Sequence, residues 1–83
     1  MPTNRVMDDA IEISLRFRQT MEERVTKLEQ DANHDEAQIA ELDNADHIRR
    51  QRRLVALERA EALRIRLFLD RARTRLPRPM IAL

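Results

Sequence analysis

Along the first half of the chain, Val6, Ala10, Ile13, Phe17, Met21, Val25, Leu28 and Ala32 recur at spacings of three and four. That spacing gathers side chains onto one face of an α-helix. The rhythm continues through Asp35, Ile39 and Leu42 without a phase slip and predicts a first helix over about residues 5–43. Asp8, Asp9 and Glu12 would then lie in its first turns, where the helix dipole favours anions. A second stripe of Ile48, Val55, Ala62, Ile65, Leu69, Ala72 and Leu76, with Gln51 and Glu58 as polar intruders, predicts a second helix over about 47–76. Pro77 and Pro79 stop it and leave a short tail over 77–83.

Two polar clusters compete as the break between the helices. One is Asp31–Asp35, where Asp35 and Gln38 have capping-box spacing and would divide the chain into three helices; the other is Leu42–Asp46. The second is preferred, because the apolar rhythm runs through the first and the sign of the charge flips just after Asp46. In a chain without glycine, Asn44 is the residue best suited to a left-handed helix terminus, and Asp46 then serves as N-cap of the second helix. The predicted turn spans 43–46.

Folding back there opposes residues whose numbers sum to 89 or 90. Leu28 meets Ala62, Val25 meets Ile65, Met21 meets Leu69, Phe17 meets Ala72 and Ile13 meets Leu76. Large faces small in two of these five layers, Leu28 with Ala62 and Phe17 with Ala72, as interdigitated cores favour. The layers nearest the turn pair Ala32 with Glu58, Asp35 with Val55 and Ile39 with Gln51, so the tip is expected to be the loosest part. The fold class read from the pattern is all-α, an antiparallel, coiled-coil-like two-helix hairpin forming a single domain over residues 1–83.

One partner helix cannot cover everything apolar in this pattern. Ala56, Ala60, Leu63 and Leu67 fall on a second strip of the later helix, roughly opposite the first and bordered by arginines at 59, 66 and 73 and at 64 and 71. Met7, Ile11 and Leu15 lie beside the main stripe of the earlier helix. Left wet, these residues would form a larger apolar patch than a small monomer normally exposes. They are expected to be a protein interface, most simply that of a homodimer forming a four-helix bundle.

Composition narrows the alternatives. The 83 residues include no glycine, cysteine, tryptophan or tyrosine, and 42% are apolar against 37% charged. The missing glycines argue against a β-rich fold and against Rossmann or P-loop phosphate sites. Without cysteine there are no disulfides, thiolate zinc sites or thiol nucleophiles. No run approaches the roughly 18 apolar residues of a membrane span, and Asp8 and Asp9 after Arg5 fit neither a secretory signal nor a transit peptide. A cytoplasmic location is the resulting expectation. Net charge is +1, yet residues 1–46 carry five basic and twelve acidic side chains while residues 47–83 carry eleven and three. An acidic helix lying along a basic one accounts for that asymmetry.

Candidate chemistry is sparse. Asp31 with His34, and Asn44 with His47, have the i, i+3 spacing used in di-iron bundles, but the inward carboxylates such a site needs do not accompany them. Both histidines sit at or near proposed turns, and no metal or other cofactor is expected. Ser14 is the only serine, and neither histidine has a nucleophile nearby, so no catalytic residue is assigned and no enzyme is expected. Glu12 with Arg16 and Glu23 with Lys27 read as helix-supporting i, i+4 pairs.

The strongest polar signal is Arg49, Arg50, Arg52 and Arg53 at the start of the second helix, which could grip the phosphates of a nucleic acid. Against that stand the scarcity of aromatic residues for base stacking, two phenylalanines in all, and the presence of an acidic helix that neutralises the basic one. The sequence therefore points to a small regulatory or adaptor protein acting by helix–helix contact, with nucleic-acid binding through the arginine cluster as the alternative.

Overall fold

The computed structural model describes residues 11–76. Its elements in chain order are a short strand β1 (Glu12–Ser14), a long helix α1 (Leu15–Ile39), a second long helix α2 (Ala45–Arg71) and a short strand β2 (Arg73–Arg75). The helices hold 25 and 27 residues and pack along each other as an all-α hairpin. The strands add one parallel ladder at its base, with Ile13 opposite Thr74.

The apolar stripes form the seam. Ile13, Val25, Ala62, Ile65 and Leu69 are buried in one cluster, with Met21, Leu28, Phe68 and Ala72 packed against it. Ala32 and Val55 are buried nearer the tip. Small residues at 32 and 62 let the two backbones approach closely, while the branched side chains above and below fill the space between.

Contacts across the seam rise along one helix as they fall along the other. Arg18 reaches Leu69 and Ala72, Glu29 reaches Arg66, Glu36 reaches Arg59, and Asp35 accepts from Gln51. One border of the seam is thus a row of glutamates from α1 against a row of arginines from α2. On the other border Arg24 meets Glu61 at 3.9 Å, and the Phe17 and Phe68 rings meet edge to face with centroids 6.3 Å apart. The charge asymmetry of the two halves is used within the hairpin.

The helix ends differ from the sequence reading. α1 begins at Leu15 because Ser14, extended at φ −73° and ψ 157°, caps it by accepting from the Phe17 amide at 3.1 Å. Ile11–Ser14 therefore precede the helix, and Arg73 donates its amide to the Ile11 carbonyl at 2.7 Å. Residues 5–10, also expected to be helical, lie outside the described residues, as does the tail over 77–83. α1 runs unbroken through Asp31–Asp35 and stops at Ile39, four residues before the expected end.

Asn44 does not end α1 in a left-handed conformation. It is extended at φ −94° and ψ 124°, and its Oδ1 accepts from the amides of Asp46 and His47, making it the N-cap of α2. Asp46 consequently falls in the first turn rather than at the cap. At the end of α1, Ala40 stays right-handed, and Glu41 and Leu42 donate back three residues to Gln38 and Ile39.

At the other end α2 stops at Arg71, because Ala72 turns extended and starts β2. Leu76, expected to face Ile13, is 70% exposed; Ile13 is buried beside Thr74 instead. Phe17 stands at the seam border, 43% exposed, rather than in a layer with Ala72. Among the described residues, no helix is long and apolar enough to cross a membrane.

Candidate functional site

Residues of α2 that point away from the seam carry the largest exposed apolar surface. Leu63 and Leu67 are 56% and 54% exposed and lie one turn apart, with Ala56 and Ala60 exposed on the same strip. Leu57, 62% exposed, lies to one side of that strip, and Leu54, 42% exposed, lies further round towards the seam; the sequence reading used neither as an interface residue. They are interleaved with arginines at irregular spacing, so neither belongs to a stripe that periodicity alone can isolate.

The strip has an ordered border. Arg66 makes a paired contact with Glu29, its Nε and Nη2 at 2.9 and 2.8 Å from the two carboxylate oxygens, and Arg59 bonds Glu36 and Asn33. Between these rows lies a shallow groove lined by Glu29, Asn33, Arg59, Ala62, Leu63 and Arg66. Leu63 therefore rises beside held, charge-compensated arginines.

Of the other expected interface residues, Ile11 and Leu15 are exposed at the base, where Ile11 adjoins β2, whereas the α2 strip occupies the middle of its helix. Met7 lies outside the described residues. The arginine cluster sits at the opposite end of the hairpin. Arg49 bonds Asp46 at 2.6 Å; Arg50, Arg52 and Arg53 are exposed and take part in no ion pair among the described residues. With Asp46 they line an open surface depression.

Two polar features go beyond the sequence reading: the partners of Arg18, and the burial of Glu58, which the pattern places at the seam as a polar intruder. Arg18 enters the seam near the base and donates from Nη2 to the carbonyls of Leu69 and Ala72 at 3.0 and 3.1 Å, and from Nε to Thr74 Oγ1. A side chain of α1 thus satisfies the end of α2, where carbonyls lack helical partners and the dipole favours a cation. Nearer the tip, Glu58 turns its Oε1 into the seam, where that atom is buried and has no hydrogen-bond partner among the described residues. Burial first, and then the neighbouring carboxylates of Asp35 and Asp31, push its carboxyl above the usual range, with Lys27 opposing them.

His34 lies with Nε2 3.2 Å from the Gln38 side-chain amide, on the exposed face of α1. Among the described residues, no group of three or more histidines and carboxylates is arranged to hold a metal ion. No protein-family model matches this chain, and neither curated proteins nor solved structures show a significant similarity to it.

Proposed function

We propose that this chain is a small regulatory or adaptor protein that works by helix–helix contact, without chemistry of its own. Its antiparallel hairpin presents the outer face of α2 and associates through that face as a homodimer. The observation that carries this reading is the strip of Ala56, Ala60, Leu63 and Leu67, which is exposed while the seam already buries the main stripes. Ile11 and Leu15 extend the apolar surface at the base.

The test is the double change Leu63→Glu, Leu67→Glu. Full burial of a leucine contributes about 1.5–3 kcal/mol, so charges at both positions remove an interface built on them. The expected protein keeps its helical circular dichroism and loses its dimer or its protein partner. Unfolding would place these leucines in the hairpin core, and an unchanged oligomeric state and partner would refute the interface.

A second reading, nucleic-acid binding at the α2 start, is favoured by Arg50, Arg52 and Arg53, which lie exposed beside Arg49 and take part in no ion pair among the described residues. It demands DNA or RNA binding that weakens steeply with salt, with a smaller slope once all four are glutamine. No salt-dependent binding by nuclease-treated protein refutes it.

A further inference from the structure

Read outward from the middle of α2, the exposed strip has a symmetry of its own. Its residues run Arg53, Ala56, Ala60, Leu63, Leu67 and Asp70, at alternating spacings of three and four. Reversed, an arginine meets an aspartate at each end and an alanine meets a leucine at every layer between. All six are exposed, all lie inside α2, and the strip is about 25 Å long at the rise of an α-helix. Neither Arg53 nor Asp70 takes part in an ion pair among the described residues.

From this complementarity we infer that the occupant of the strip is a second copy of the same chain, docked head to tail along α2 about a two-fold axis passing between Glu61 and Ala62. The inference rests on the homodimer reading above and adds the direction and register of the pairing. In that register Ala60 packs against Leu63 of the partner subunit and Ala56 against Leu67 of the partner subunit. Arg53 then faces Asp70 of the partner subunit at both ends. Each contact occurs twice, as an isologous interface requires.

Direction follows from sterics and charge together. Parallel helices in matching register would set leucine against leucine and alanine against alanine, leaving gaps at the alanines, and would bring like charges together at both ends. Two-fold, antiparallel docking places a large residue beside a small one in every layer. The borders are compatible with it: Arg59 and Arg66 arrive already paired with Glu36 and Glu29, and Arg64 lies 3.6 Å from Glu61. Like-charge approaches remain in this register: Arg50 and Arg52 towards Arg71 of the partner subunit at each outer corner, and Arg59 towards Arg66 of the partner subunit nearer the axis, where Glu36 and Glu29 offset the charge.

A charge-swap experiment on the full chain tests the inference. Arg53→Asp and Asp70→Arg are made separately and combined, and association is followed by analytical ultracentrifugation with circular dichroism as the check on helicity. Each single variant sets like charges at both ends of its own dimer and is expected to weaken self-association by about tenfold or more. Mixing the two restores opposite charges at both ends, so a heterodimer of near-wild-type affinity is expected, and the double variant should self-associate again.

Recovery in the mixture also shows that neither single variant failed by unfolding. A wild-type dimer that dissociates with Leu63→Glu, Leu67→Glu but ignores the charge changes overturns the register alone. Failure of the mixture to recover overturns the Arg53–Asp70 pairing. A monomeric wild type at high concentration overturns the second copy as occupant, while capture of another protein through Leu63 and Leu67 would leave the interface reading standing.

Discussion

Replacing Arg18 with methionine removes a guanidinium and keeps an unbranched stem of similar reach. In the folded chain Arg18 spans the base of the hairpin, bonding two α2 carbonyls and Thr74 while its side chain is only 22% exposed. Hydrogen bonds made by a charged group contribute about 1.5–3 kcal/mol each. The Leu69 carbonyl also accepts from the Ala72 amide at 3.3 Å, so only the Ala72 carbonyl loses its sole partner.

Allowing for that sharing and for water entering at the base, the expected loss is about 2–4 kcal/mol. For a domain of this size that lowers Tm by roughly 10–25 °C. Urea and thermal unfolding followed by circular dichroism measure it, at one fixed protein concentration because self-association would itself raise stability. Arg18→Lys retains the charge without the two-armed geometry and should fall between wild type and methionine. Amide exchange adds a local signature: the Arg73 amide, bonded to Ile11, should lose protection first, before the middle of α2. A methionine variant within about 0.5 kcal/mol of wild type, the range of ordinary surface changes, would refute the claim that Arg18 ties the base together.

Glu58→Gln should make the hairpin more stable at neutral pH and flatten its pH dependence in the mildly acidic range. A carboxyl whose folded pKa is raised contributes stability fully below its unfolded pKa and loses it as pH rises through the folded value; with Asp35, Asp31 and Lys27 unchanged, the wild-type-minus-variant difference in Tm isolates that group. A glutamine variant less stable than wild type at pH 7 would show that Glu58 has a favourable partner. Arg66→Ala breaks the exposed pair with Glu29 and should cost no more than about 1 kcal/mol, shrinking further in high salt. Ala62→Leu forces three carbons into the closest approach of the helices and should destabilise by about 1–3 kcal/mol in urea titrations, unless the seam opens to accept it.

The seam was legible in advance because burial on one face imposes a three-four rhythm that survives any local detail. The spacing alone places Val25, Leu28, Ile65 and Leu69 together, and sets Leu63 and Leu67 on a separate strip. Local rules worked less well where two of them competed. Asn44 suits both a left-handed helix end and an N-cap, and the choice depends on which helix needs its side chain. At Ile11–Ser14 the spacing of apolar residues suits helix as well as a half-buried strand, and the Ser14 cap with the Arg73 partner decided between them.

Arg18 and Glu58 mark the boundary most clearly. Both sit in phase with the apolar stripes, so the sequence placed Glu58 at the seam as a polar intruder and left Arg18 as one charge among many. Periodicity assigns a face, and it is blind to partners that are distant along the chain. That Arg18 caps α2 across more than fifty residues, and that Glu58 keeps a buried oxygen without a donor among the described residues, follow from how the two backbones are set against each other. Helical propensity, stripe phase and charge asymmetry are local sums and can be read along a chain. Which carbonyl a guanidinium reaches, and which carboxylate is stranded, are decided by distances that exist only once the hairpin has closed.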